Sequence, residues 1–393
     1  MLTLSFVEFK KGSYVLVDGV DTNDRFFIVK TGKVACSNSM DPGRNSNKVL
    51  KPGDFVGVIP CMSGHSQIEN AIAMEDCTMI SVARDQYPAL IKQNVPVAMK
   101  IIRTFSNRMR EMNEQLTQLT LRDTSATSAE QIYNVAAYYD NAGYKDIASY
   151  AYYRYLKEYP IGKNIPMAQK RFVSLKSASK AVYYEPSHEM VRNYPAGTMI
   201  MAETQSAQEM YVIQEGSVKI TKVVNGNEVI LSVLHRGDMF GEMALLENKG
   251  RSANAIAHES CRLMVINREN FDHMVGTQPQ LIARLTTMLA ERLWSMYRQL
   301  YNTCLKDYLH KAIDMLALQL EKEKRFRGSF QTSITPQELL TMCAIPQRDQ
   351  VQGLVKLEGE KSIKLIDGKI FVPDCQEIIR LSALFKKIES GEK

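Results

Sequence analysis

One register shift of 184 residues maps part of this 393-residue chain onto another part, and it constrains the fold more than any other feature. FFIVKTGKV at 26–34 falls on MYVIQEGSV at 210–218, and KPGD at 51–54 falls on HRGD at 235–238. Ala71-Ile72-Ala73 falls on Ala255-Ile256-Ala257, Cys77 on Cys261, and further on Arg108 on Arg292. Matches that share one spacing without gaps mark a duplicated unit, so the chain must build the same object twice. Within each unit apolar residues alternate over short runs, as at 27–34 and 211–220, which is the period of half-buried strands. Gly12, Gly19, Gly32 and Gly53 break the first copy, and Gly197, Gly216, Gly226 and Gly237 the second. Asn225-Gly226 is a strong hairpin signal. Each copy is predicted to be a small β-roll that feeds a long amphipathic helix, at 97–119 and 279–305. The first helix carries Met99, Ile102, Met109, Met112, Leu116 and Leu119; the second carries Leu285, Leu289, Leu293, Met296 and Leu300, with Trp294 read as interface or core.

The copies diverge where chemistry would reside. The second contains HRGDMFGEMALLENKGRSANAIA at 235–257. Gly241 allows close backbone approach, Arg251 offers a planar fork that fits phosphate oxygens, Ser252 a hydroxyl donor, and Glu242 an acceptor for a sugar hydroxyl. In the first copy Val58, Gln67 and Ile68 stand at the places of Glu242, Arg251 and Ser252. An anion there would be desolvated without a charge partner, so the first roll is read as structural or as binding something else.

The order GE, ALL, RSA closely resembles the phosphate-binding cassette of cyclic nucleotide-binding domains, as in the catabolite-activator family of bacterial regulators. The resemblance implies that Glu242 holds a ribose 2′-hydroxyl and that Arg251 and Ser252 hold a cyclic phosphate. The implied ligand is cyclic AMP or another cyclic mononucleotide, with no cofactor, and the implied binding set is Gly241, Glu242, Arg251, Ser252, Ala253 and Tyr297. Two family positions that touch the base with small hydroxyls fall on Met296 and Tyr297, which leaves the base undetermined. The resemblance also implies a homodimer through the helix 279–305, with an internal pairing of the two long helices as the other arrangement.

Between the copies, 129–160 changes character: alanines and tyrosines recur at helical spacing around Asn141-Ala142-Gly143. This stretch resembles a tetratricopeptide repeat through Ile132, Val135, Ala136, Tyr139, Gly143, Ala148, Tyr152, Tyr155 and Pro160, with a further helix at 166–178. One repeat is too few to stand alone, so it is expected to act as a packed spacer or, through exposed tyrosines, as a docking surface for a protein partner. A helix at 308–322 and a polar break at 325–329 lead to a tail that resembles the winged helix-turn-helix of the same regulators. Thr335-Pro336 starts its first helix (337–343), Pro346 opens a recognition helix reaching Leu357, and 363–372, broken at Asp367-Gly368, is the wing. The resemblance makes double-stranded DNA a partner, read by Gln347, Arg348, Gln350 and Gln352. The tail departs from the family pattern at Gln347, Arg348, Asp349 and Gln352, and Gly353 stands where an apolar residue is usual.

The remaining features exclude more than they assign. A net charge of +6 permits nucleic acid as a partner without requiring it. No run approaches the roughly 18 apolar residues of a membrane span, and the N-terminus lacks a signal-peptide pattern. Seven dispersed cysteines without a CxxC pair fit free thiols in a reducing cytoplasm, and six histidines show no metal-ligand spacing. With no nucleophile–base pair visible, the chain is not expected to be an enzyme. The expectation is therefore a mixed α+β chain of four parts: a degenerate roll with its helix (1–122), a tetratricopeptide-like α-hairpin (126–182), a nucleotide-binding roll with its helix (185–306) and a winged helix-turn-helix (307–393). The expected function is cyclic nucleotide-responsive transcription regulation; the alternative is a nucleotide-sensing adaptor that grips a protein and has lost DNA binding.

Overall fold

The computed structural model describes residues 4–20, 24–37, 48–121, 128–184, 189–224, 227–247, 249–343, 345 and 347–390. Two compact units emerge, one of residues 87–289 and one of residues 1–86 with 290–393.

The first roll holds β1 (Ser5–Phe9), β2 (Tyr14–Leu16), β3 (Arg25–Thr31), β4 (Val34–Ser37), β5 (Lys48–Leu50), β6 (Phe55–Val56), the short helix α1 (Val58–Ser63), β7 (Asn70–Ala73) and β8 (Cys77–Ala83). These strands form two antiparallel sheets, ordered β1-β8-β3-β6 and β2-β7-β4-β5. Alternate residues of both sheets, among them Phe27, Val29, Val34, Ala71 and Met79, close a shared core. Helices α2 (Tyr87–Gln93), α3 (Val95–Leu121), α4 (Ser128–Asn141), α5 (Lys145–Glu158) and α6 (Ile165–Lys176) follow.

The second roll repeats the plan with β9 (Val191–Tyr194), β10 (Met199–Met201), β11 (Glu209–Glu215), β12 (Val218–Val224), β13 (Asn227–Leu234), β14 (Met239–Phe240), α7 (Glu242–Glu247), β15 (Asn254–Ala257) and β16 (Cys261–Asn267). Its sheets run β14-β11-β16-β9 and β10-β15-β12-β13, the same topology strand for strand. The Asn225-Gly226 hairpin signal lies outside the described residues. Small devices recur at the 184 spacing. Asp54 accepts from the Lys51 amide at 2.9 Å and Asp238 from the His235 amide at 2.9 Å. Arg84 donates to the Cys61 carbonyl at 2.5 Å and Arg268 to the Leu245 carbonyl at 2.5 Å. Ahead of β3 the spacing is one residue longer, since Gly12 donates to Ala73 O as Gly197 does to Ala257 O.

The chain then continues through α8 (Arg268–Thr277), α9 (Pro279–Cys304), α10 (Tyr308–Lys322), β17 (Phe330–Gln331), α11 (Pro336–Met342), α12 (Gln350–Glu358), β18 (Lys364–Ile366), β19 (Lys369–Val372) and α13 (Cys375–Ser390). Thr335 and Glu338 form a reciprocal capping box that starts α11. Strands β17, β19 and β18 make a small antiparallel sheet. Gly353 is buried in α12, and a Cβ there would lie 3.1 Å from Leu340 Cδ1, so its bare backbone lets α12 press onto α11.

Helices α4 and α5 pack side by side across a turn that Gly143 closes at φ +81°, and α5 ends two residues before Pro160. Their tyrosines do not form the exposed surface expected of a docking site. Tyr139, Tyr150, Tyr152 and Tyr155 are buried in one cluster with Met199, Ala202, Val223 and Ile256 of the second roll, and Tyr144 is the exposed one among the tyrosines of these two helices and their turn. The aromatic residues serve a core that neither the helices nor the roll could close alone. Burial pushes the Tyr139 phenol upward, and its hydroxyl is held by Thr221 at 3.1 Å and Glu228 at 2.8 Å.

A second buried cluster ties α9 to α10 and α13. Asp314, almost fully buried, accepts from Arg298 at 2.9 Å, Asn302 at 3.1 Å and Ser382 at 2.8 Å, and pairs with Lys386 at 2.7 Å. Burial raises the Asp314 pKa, but Lys386 and Arg298 outweigh it and hold the carboxyl below its ordinary value. The other arm of Arg298, Nη1, donates to both oxygens of Glu321, at 2.9 and 3.3 Å.

Candidate functional site

The cassette of the second roll is built from the β14–α7 turn and the strand entering β15. Gly241 stands at φ +80°, where L side chains are strained, and a Cβ there would lie 2.5 Å from Arg251 Nη1. That vacancy lets the arginine fold back under the turn. Its Nη1 donates to Gly241 O at 2.7 Å, its guanidinium lies 5.6 Å from the centre of the Tyr211 ring, and the side chain is buried. Arg251 Nε has no hydrogen-bond partner among the described residues, and neither has Nδ2 of the fully buried Asn254. The Nε of Arg154, Arg192 and Arg298 is likewise unpartnered among the described residues, so what sets Arg251 apart is its buried place under the Gly241 turn.

Glu242 opens the first turn of α7 and is buried; Ala253 is buried beside Arg251 in sequence; Ser252 is half-buried, its hydroxyl 3.5 Å from Met243 Sδ. Gly241, Glu242, Arg251, Ser252 and Ala253 thus all belong to one unit and one cassette. Tyr297 is buried in α9 within the other unit.

The surroundings of Arg251 are polar and tightly paired. Arg192 forms two bonds to Glu209 at 2.8 Å, and Tyr211 donates to Glu209 at 3.3 Å. Burial raises the Tyr211 phenol and the Arg251 cation partly opposes this, so the ring stays neutral. The segment 203–206 is the part that motif reading passed over. Its backbone clasps the arginine: Thr204 N donates to Arg251 O at 2.8 Å and Arg251 N to Gln205 O at 2.9 Å. Gly250 permits the approach, because a Cβ there would sit 2.6 Å from Thr204 O. A small polar cavity of about 140 Å³ opens beside this clasp, lined by Ser206, Ala207, Gln208, Lys249 and Gly250. From the other side, α3 packs on α7, and Arg110 donates to Gly250 O at 3.3 Å.

The first roll keeps the turn glycine, Gly57 at φ +75°, but buries neutral Gln67 where the second roll has the Arg251 cation. In its unit, Trp294 of α9 stacks on His65 with ring centres 3.8 Å apart, and its indole N–H donates to Ser66 O at 3.3 Å. Apolar Val58 and Ile68 are buried at the degenerate positions.

In the C-terminal region the four residues assigned to DNA reading separate. Residues 347–349 form a single 3-10 turn, so α12 begins at Gln350 rather than at Pro346, which lies outside the described residues. The Gln347 side chain is likewise outside them. Arg348 is exposed and loosely paired with Asp349 at 3.5 Å, and Gln352 is exposed. Gln350 is a correction: it is buried, accepting from Gln337 at 2.5 Å and donating to Ile345 O at 3.2 Å, and so fastens α12 to α11 instead of facing a base. The exposed face of α12 and the β18 strand instead present Val351, Val355, Leu365 and Ile366.

All seven cysteines are free thiols. Among the described residues no group of three His, Cys, Asp or Glu side chains is placed to hold a metal, and no helix is long and apolar enough to cross a membrane.

Comparison with known proteins places two matches to the cyclic nucleotide-binding domain on this chain, at residues 6–94 and 191–278, one on each roll. The chain is similar to the cAMP-activated global transcriptional regulator CRP of Pasteurella multocida, 27% identical over 190 residues that make up 47% of this chain and 90% of that protein. It is also similar to the human cGMP-dependent protein kinase 2, 29% identical over 194 residues, 48% of this chain and 25% of the kinase. Among solved structures, the catabolite activator protein of Thermus thermophilus is 27% identical, covers 52% of this chain and 91% of its own, and superposes with a TM-score of 0.29. Each copy of the duplicated unit thus matches the cyclic nucleotide-binding domain, and about half of the chain is similar to CRP-like regulators.

Proposed function

We propose that the second roll binds one cyclic nucleotide, cyclic AMP or a close analogue, and that the first roll binds none. The observation that carries this reading is the buried Arg251 cation folded under Gly241 next to buried Glu242, set against Val58, Gln67 and Ile68 in the other copy. Glu242 is the acceptor for the ribose hydroxyl and Ser252 the second phosphate donor, its hydroxyl turning away from the Met243 thioether.

The output is transcription regulation through the C-terminal module, 307–393, as a winged helix-turn-helix. Likeness to CRP supports this, as does the order α11, α12, β18, β19. Arg348 and Gln352 are the residues left to read base edges. A ligand shifts such a switch only by binding its two arrangements unequally. The network around Asp314 ties the last turns of α9 to α10 and α13, a route by which a rotation of that helix would reach the C-terminal module.

Each long helix meets the roll it does not follow: α3 touches α7 of the second roll, and Trp294 of α9 touches Ser66 of the first. This exchange supports pairing inside one chain over the homodimer. A second reading, the nucleotide-sensing adaptor, is favoured by the apolar Val351, Val355, Leu365 and Ile366 where a DNA reader would be polar. Capture of bound genomic DNA with and without cyclic AMP separates the two. Ligand-dependent enrichment of one sequence, lost in an R348A/Q352A variant, is the regulator's result; no enriched sequence under either condition sinks it in favour of the adaptor.

A further inference from the structure

We infer that the helical insert positions the phosphate-binding arginine: Ser128 of α4 and Tyr150 and Glu158 of α5 hold Thr204–Ser206, in a strained conformation at Thr204, against the backbone of Arg251. The inference rests on the reading of Arg251 as the phosphate contact.

Thr204 stands at φ +66°, a conformation that β-branched residues very rarely adopt. The equivalent place in the first roll, one residue out of the 184 spacing, is Gly19 at φ +76°. The backbone bonds there are the same. Gly19 N donates to Gln67 O at 2.9 Å as Thr204 N does to Arg251 O at 2.8 Å; Gln67 N donates to Val20 O at 3.1 Å as Arg251 N does to Gln205 O at 2.9 Å. Glycine is thus the comfortable residue for this turn, and the copy with the intact cassette does not have it. Strain of this kind persists only where the surroundings over-determine it.

The insert supplies that over-determination. Thr204 Oγ1 donates to Ser128 O at 3.0 Å, a bond that glycine could not make. Ser206 N and Oγ both donate to Glu158 Oε2, at 2.9 and 3.0 Å, while Arg154 holds the other carboxylate oxygen at 2.5 Å. Tyr150 donates to Gln205 Oε1 at 3.3 Å, the oxygen that also takes the Ala202 amide at 2.9 Å. Gln131 reaches Glu203 at 3.0 Å. Four consecutive residues are therefore gripped by the insert, and the middle two, Thr204 and Gln205, are bonded to the arginine's own backbone. Anything that moves α4 and α5 against the roll moves Arg251, which makes the insert a control point for nucleotide affinity.

The test uses the full-length chain with T204G and E158A, and with T204S and E158Q as the conservative partners that keep a hydroxyl and an acceptor. Hydrogen exchange in 249–256 is followed by mass spectrometry, and cyclic AMP affinity by calorimetry. T204G and E158A should each speed exchange in 249–256 by about tenfold, the weight of a hydrogen bond of this class, and weaken cyclic AMP by a similar factor. T204S and E158Q should restore both. Exchange in β11 and β16 should not change. If Thr204 is merely a strained turn residue, T204G relieves the strain, melts higher and leaves 249–256 protected, and the inference fails. It fails equally if E158A accelerates exchange throughout the roll. If the wild-type chain takes up no cyclic nucleotide, the ligand reading falls, and the exchange measurement still decides whether the insert holds Arg251.

Discussion

Removing the Asp314 carboxylate tests whether α9 is locked to the C-terminal helices. Asp314 meets two cations, Arg298 and Lys386, and two neutral donors, Asn302 and Ser382, with almost no exposure of its own. D314A strands both cations. Breaking a buried pair from one side costs about 3–5 kcal/mol, because the other charge stays desolvated. Arg298 keeps Glu321 as a partner through Nη1, which places the expected loss near the lower end, at about 3 kcal/mol. The assay is urea unfolding followed by fluorescence. Trp294 is the only tryptophan of the chain and its ring lies 5.2 Å from the Arg298 guanidinium, so it reports this region directly. The pH dependence provides a check on cause. The folded Asp314 carboxyl is held below its ordinary value, so its stabilisation is complete above the unfolded pKa of about 3.9 and disappears as pH falls through the folded value. Wild type should lose stability through that acid window and D314A should lose less. A loss under about 1 kcal/mol at neutral pH, the range of an exposed ion pair, would refute the buried lock.

Three further outcomes follow from other parts of the molecule. Burial first, then Arg298, Lys324 and Arg84, lower the His65 pKa to about 4, so the folded state disfavours the protonated ring. Stability should fall as pH drops from about 6.5 towards 4, and H65F should flatten that slope in the same fluorescence assay. Q350A should destabilise the C-terminal module by about 1–2 kcal/mol, since it removes bonds between α11 and α12, while Q352A should stay within about 0.5 kcal/mol in the same unfolding assay. Light scattering at micromolar concentration should return the 44.5 kDa of one chain, with or without nucleotide; a mass near twice that would overturn internal pairing.

Much of the fold was legible because the duplication is written in strand residues. Alternation and turn glycines located both rolls, and one offset aligned β3 to β8 with β11 to β16. The helix at 279–305 was bounded within a residue by its apolar spacing. What the sequence hid follows a pattern. The likeness of Gly19 to Thr204 was masked by a one-residue change of spacing ahead of β3, so the strained residue beside the cassette carried no motif. For the insert tyrosines the choice between packed spacer and docking surface stayed open, because periodicity shows that a face is apolar, not what covers it; the cover is the second roll. Gln350 looked like a base reader because a polar residue on a helix gives no sign that its amide is spent on a neighbouring helix. Arg298 and Asp314 lie on different helices, and only their packing shows the charges to be buried together. Within the cassette the donor types were legible, whereas the orphaned Arg251 Nε and Asn254 Nδ2 needed coordinates.

The central claim is that one roll of the two binds a cyclic nucleotide through Arg251. Calorimetric titration of the full chain with cyclic AMP, and in parallel cyclic GMP, tests it most directly. The account predicts one site per chain in the wild type and binding weakened at least about thirtyfold in R251A, the consequence of truncating a buried partner of a charged phosphate. Two sites per chain, or an R251A variant that binds as the wild type does, would contradict it.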